Sequence, residues 1–170
     1  MVISRLRRWF LFKELEEVDI TCEDRFEIRS HCVAILAFVN TAEELALLKS
    51  LEDRMSNVFQ VVQGIYFTRN KQLDNDELIT PEIFNWFGKP KGDSWNKFLD
   101  VEFDQLWVVS STVTITMEYL ITRIKSRLKL APYLNETYRD CHIFTHSNNH
   151  DIKQLINQLE DIMLKLNKHG

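Results

Sequence analysis

"HCVAILAFVNT", residues 31–41, decides the fold. Its apolar run, Val33 to Val39, is far too short to span a membrane. β-branched and aromatic residues inside it favour a strand, and unbroken apolarity means that both faces of that strand are covered. The run stops at Asn40-Thr41. Thr41-Ala42-Glu43-Glu44 then has the T-x-x-E spacing of a capping box, in which the threonine hydroxyl and the glutamate carboxylate accept from orphan N–H groups. Leu45, Leu48, Leu51 and Met55 follow on one helical stripe. A buried strand runs straight into an amphipathic helix.

The same alternation recurs outward from there. "NVFQVVQGIYFT" (57–68) reads as a second strand, with Gly64 marking a bulge or a close approach. A polar connection from Arg69 to Leu78 reads as a loop. "FDQLWVVSS" (103–111) is a third strand, and Met117, Leu120, Ile121, Ile124 and Leu128 predict a helix over Thr116–Leu128. "KLAPYL" (129–134) and "CHIFTH" (141–146) fit further short strands. From Asp151 onward, Ile152, Leu155, Ile156, Leu159, Ile162, Met163 and Leu166 form one long stripe. Buried strands alternating with amphipathic helices predict an α/β domain, a Rossmann-like three-layer sandwich with a mostly parallel sheet. The division expected is a basic amphipathic segment over 1–18 and a single α/β domain over 19–170.

At 170 residues there is enough chain for one substantial core. Apolar residues at 45% and charged ones at 27% exclude a disordered chain. A net charge of -4 gives no general pull toward nucleic acid, so nucleic acid is not an expected partner. Cys22, Cys32 and Cys141 form no C-x-x-C pair, which excludes a zinc ribbon or a thioredoxin-like motif and fits a reducing, cytoplasmic setting. Arg5, Arg7 and Arg8 before "WFLF" (9–12) have the look of a signal peptide. Lys13-Glu14 ends that stretch early and without a small-residue cleavage site.

The most tempting chemistry is "WFGKPKGDSW" (86–95). A P-loop places its lysine after the last glycine, whereas Lys89 and Lys91 lie between Gly88 and Gly92, and Asp93 follows. A turn explains each residue: Gly88 takes a positive φ, Pro90 fixes the bend, and Asp93 or Ser94 caps a helix containing Trp95 and Phe98. Lys89 and Lys91 remain candidates for holding an anion. His142, His146 and His150 recur every four residues, but Ile143-Phe144 fits a strand, where His142 and His146 lie roughly 13 Å apart. That is too far for one zinc, so neither a metal nor another cofactor is expected. Asp100, Glu102 and Asp104 alternate into the third strand, yet parallel sheets place their sites at the opposite, carboxyl end. By that rule Asn40-Thr41, Thr68 and Ser110-Ser111-Thr112 are the better candidates, with hydroxyls that hold a ligand or cap helices. No G-x-S-x-G elbow surrounds Ser110, and no catalytic residue is assigned.

Basic groups are the remaining feature. Arg123, Lys125, Arg127 and Lys129 are expected at the end of the Thr116–Leu128 helix, where cations favour unpaired carbonyls. Residues 1–13 hold four basic side chains and no acidic one, with Ile3, Leu6, Trp9 and Phe10 on one stripe. Such a segment docks on its own domain, on a protein partner or weakly on an anionic membrane surface. Arg5, Arg8, Trp9, Arg123 and Arg127 are the candidate partner-binding residues.

"FNWFGKPKG" (84–92), "FLDVEFDQLWVVS" (98–110) and "YLITRIKSRLKL" (119–130) together resemble a family of small uncharacterised bacterial α/β proteins. Those share an aromatic-Gly-Lys loop, an FD pair opening a strand, and a Ser-Lys-rich helix end. The resemblance implies a fold and no reaction. A more distant one is to the N-terminal half of heptosyltransferase-like glycosyltransferases, which bind their nucleotide sugar largely through a second half. The functional expectation is a non-enzymatic interaction or structural protein. The alternative is a nucleotide- or sugar-phosphate-binding domain that uses Lys89, Lys91, Ser110, Ser111 and Thr112.

Overall fold

The structure, a computed structural model, describes residues 32–73, 78–85, 89–112, 114–133, 141–145 and 151–168. The strands are β1 (Cys32–Phe38), β2 (Val61–Phe67), β3 (Leu78–Ile79), β4 (Glu102–Val109), β5 (Lys125–Pro132) and β6 (Ile143–Thr145). The helices are α1 (Ala42–Met55), α2 (Asp93–Leu99), α3 (Ile115–Arg123) and α4 (Ile152–Lys168), with a 3₁₀ turn at Pro81–Ile83. The sheet order is β3-β2-β1-β4-β5-β6, and every neighbouring pair is parallel. This is the strand order of the Rossmann fold.

Residue parity in the strands sorts the core into two layers. Val33, Ile35, Ala37, Trp107, Val109, Leu128 and Leu130 face α1 and α4, where they meet Leu48, Leu51, Met55, Leu155, Ile156 and Leu159. Ala34, Leu36, Leu106 and Val108 face the other way, onto Met117, Leu120 and Ile121 of α3 and onto Phe84 and Leu99. Val33 through Ala37 are fully buried, as a run without polar alternation requires. Under α1 and α4 the Trp107 indole N–H donates to Gln105 Oε1 at 2.8 Å, so the largest core side chain brings its own acceptor.

The capping box is present. Thr41 Oγ1 accepts from the Glu44 N–H at 3.2 Å, and Glu44 Oε2 accepts from the N–H groups of Asn40 and Thr41 at 2.6 and 3.4 Å. At the far end of α1, Arg54 bonds Glu160 of α4 at 2.8 Å and ties the two helices of that layer together. At Gly64 the register with β1 runs unbroken, Ile35 opposite Gly64 between intact pairs, so the glycine makes no bulge. It serves close approach: a Cβ there would lie 2.6 Å from Tyr66 Cζ and would also collide with the Glu52 carboxylate.

Three expectations from sequence are corrected. The predicted helix over 116–128 stops at Arg123. Ile124 is extended, with φ -67° and ψ 119°, and Lys125–Pro132 pairs with β4 as a strand. Ile124 and Leu128 share helical spacing, but pairing with β4 and burial of Leu128 and Leu130 beneath α1 and α4 outweigh it. The polar loop ends before Leu78, because Leu78-Ile79 pairs with Tyr66-Phe67 at the sheet edge. The N-cap position of α2 is Gly92, with Asp93 and Ser94 already in the helix. Gly92 has φ 100°, a conformation open to glycine without strain, while Gly88 lies outside the described residues.

Candidate functional site

In this strand order the chain leaves β1 toward β2 and β3 on one side and continues from β4 to β5 and β6 on the other. β1 and β4 are neighbours, with Ala37 opposite Val109. Ligands of open parallel sheets bind at the carboxyl ends of the two strands where the order reverses. Here those ends are Asn40-Thr41 and Ser110-Ser111-Thr112. The structure therefore brings together two segments 70 residues apart that sequence names separately.

Asn40, Thr68 and Ser110 at this crevice are engaged with their own chain. Asn70 Nδ2 donates to the Asn40 carbonyl at 3.0 Å, and Thr68 Oγ1 accepts from the Asn70 N–H at 3.0 Å. Ser110, fully buried, donates its hydroxyl to the Thr112 carbonyl at 2.7 Å. Ser111 is half-buried and Thr112 exposed. The β1–α1 turn, "FVNTAEE" (38–44), contains no glycine, although a pyrophosphate seat relies on glycines for close backbone approach. Its Asn40 and Thr41 N–H groups already face the Glu44 carboxylate. An anion arriving there meets like charge.

Lys89 and Lys91 stand on a separate loop, after β3. Phe84 and Pro90 form an antiparallel bridge, the Asn85 N–H donates to the Lys89 carbonyl at 2.8 Å, and Lys91 N–H donates to Ile83 O at 2.8 Å. The two flanks of the segment thus pair with each other and lead into the Gly92 cap, while residues 86–88 lie outside the described residues. Lys91 Nζ reaches the Glu82 carbonyl at 3.4 Å. Aromatic rings anchor this region: Phe84 touches Phe67 and Trp95, and Trp95 meets Phe98 edge-on at 5.6 Å.

The basic cluster is redistributed. Arg123 ends α3, while Lys125, Arg127 and Lys129 belong to β5, not to a helix end. Lys125 pairs with Asp100 at 3.4 Å and Arg127 with Glu102 at 3.6 Å, all four largely exposed. Asp104 accepts from the Cys32 N–H at 2.9 Å, so the carboxylate trio flanks the amino end of the sheet in structural contacts. Lys129 is 8% exposed and donates from Nζ to Ile121 O at 2.6 Å. His142 Nδ1 accepts from the Lys129 N–H at 3.0 Å and fastens the start of β6 to β5. Among the described residues no group of three or more His, Cys, Asp or Glu is placed to hold a metal. No helix among them is long and apolar enough to cross a membrane. Arg5, Arg8, Trp9, Cys22, His146 and His150 lie outside the described residues.

The model of a family of unknown function, DUF6913, matches residues 5–166. The chain belongs to that family. No curated protein matches it. A crystal structure of a protein of unknown function, of the DUF364 family from Pyrococcus horikoshii, is similar over 75% of the chain, at 12% identity and a TM-score of 0.34. The chain spans 42% of the length of that protein.

Three residues of this DUF6913 chain escape sequence reading. Glu44 is visible as a cap in T-x-x-E, but its place at the switch point depends on strand order. Asn70 bridges the ends of β1 and β2 from inside a polar loop. Lys129 has the same local context as the exposed Lys125 and Arg127, and only the cover of α3 distinguishes it.

Proposed function

We propose that this chain is a non-enzymatic interaction or structural protein, working in the cytoplasm of a bacterium. It acts through the basic amphipathic segment that carries Arg5, Arg8 and Trp9, and through the basic groups at Arg123 and Arg127. One observation carries this reading: the switch-point turn is occupied by Glu44 itself, whose Oε2 lies 2.6 Å from the Asn40 nitrogen. A chain that handled phosphorylated substrates there would need those N–H groups open. The apolar stripe of residues 1–13 supplies the contact area and its arginines supply orientation. A protein is the partner proposed, with weak contact to a membrane surface as its competitor.

The second reading, a nucleotide- or sugar-phosphate-binding domain related to a glycosyltransferase half, draws support from the strand order alone. Lys89, Lys91, Ser110, Ser111 and Thr112 would then hold the ligand.

The test is affinity capture from the native host with the full chain, a chain lacking residues 1–13, and the Arg5→Glu/Arg8→Glu/Trp9→Ala variant. Circular dichroism and urea melts check that all three stay folded. A partner kept by the full chain and lost by both altered forms supports the proposal. Equal capture by all three, or sedimentation with anionic vesicles in place of a protein, sinks it. A rise in melting temperature with ADP, UDP or hexose phosphates, lost in Ser111→Ala/Thr112→Val, would establish the second reading instead.

A further inference from the structure

We draw no further inference here: the strongest candidate, the half-exposed Tyr133–Phe144 aromatic pair at the carboxyl end of the β5–β6 edge, carries nothing because nothing among the described residues shows what covers it.

Discussion

β1 and β5 occupy equivalent places, each an interior strand with a parallel neighbour on both sides, yet they are made of opposite material. β1 is CVAILAF, fully buried from Val33 to Ala37 and partly covered at Cys32 and Phe38. β5 is KSRLKLAP, and burial begins only at Leu128. The difference is one of cover. α1 and α4 on one face and α3 on the other cover β1 from Val33 to Ala37, whereas the first residues of β5 emerge at the amino edge and meet water. There exposed charges face β4, and pairs so exposed contribute little stability. Two strands with the same hydrogen-bonding role thus differ in how much of their length is stabilised by burial, and substitutions separate them.

The largest effect is expected in β1. Leu36→Ala removes a fully buried side chain from the layer under α3 and should cost about 2–5 kcal/mol in urea denaturation. A loss below about 1 kcal/mol would mean that this strand is not the two-sided centre of the core.

Within β5 the contrast is sharpened by a pair of lysines on one face. Lys129→Met deprives the Ile121 carbonyl of its donor at the point where α3 passes into β5 through Ile124 alone, an orphan acceptor worth about 1–3 kcal/mol. Lys125→Met, four residues earlier, removes only an exposed ion pair and should change stability by about 0–0.5 kcal/mol. Equal losses in the two variants would contradict the division of β5 into a wet and a covered half.

The same division explains what could be read without coordinates. β1, α1 with its cap, β4 and α4 are legible because one physical signal, continuous apolarity or a 3.6-residue stripe, dominates each of them. β5 is not. Arg123 to Lys129 carries basic residues at every other position, and Leu128 serves equally as the last residue of a helical stripe or the first buried residue of a strand. Tertiary pairing with β4 breaks the tie, and pairing is invisible in a window of eight residues. The candidate site is legible in the same partial way. Asn40-Thr41 and Ser110–Thr112 announce themselves as strand ends, but their adjacency follows from the strand order. So does the consequence of Glu44: a capping box is a helix start anywhere else and a closed anion seat here.

That closure gives the next smaller effect. Thr41→Ala removes the hydroxyl that accepts from the Glu44 N–H, and a lost N-cap costs about 0.5–2 kcal/mol. Hydrogen exchange should locate the loss in the first turn of α1 and leave β1 protected. Loss of protection throughout β1 would mean that the cap and the strand are not separable, contrary to a core fixed by apolar burial.

The smallest effect tests the charged half of the comparison directly. Glu102 and Arg127 lie 3.6 Å apart with side chains 66% and 47% exposed, which leaves both open to solvent. A double-mutant cycle with Glu102→Gln and Arg127→Gln should return a coupling of about 0–0.5 kcal/mol at low ionic strength. In 1 M salt, where screening acts over about 3 Å, the coupling should vanish. A coupling that survives salt would require burial of the pair by something beyond the sheet edge. If the coupling is weak and salt-sensitive, the charges at the amino edge do not hold β5 in place. The strand must then be held by its buried stretch, Leu128 to Pro132, on which the helices close.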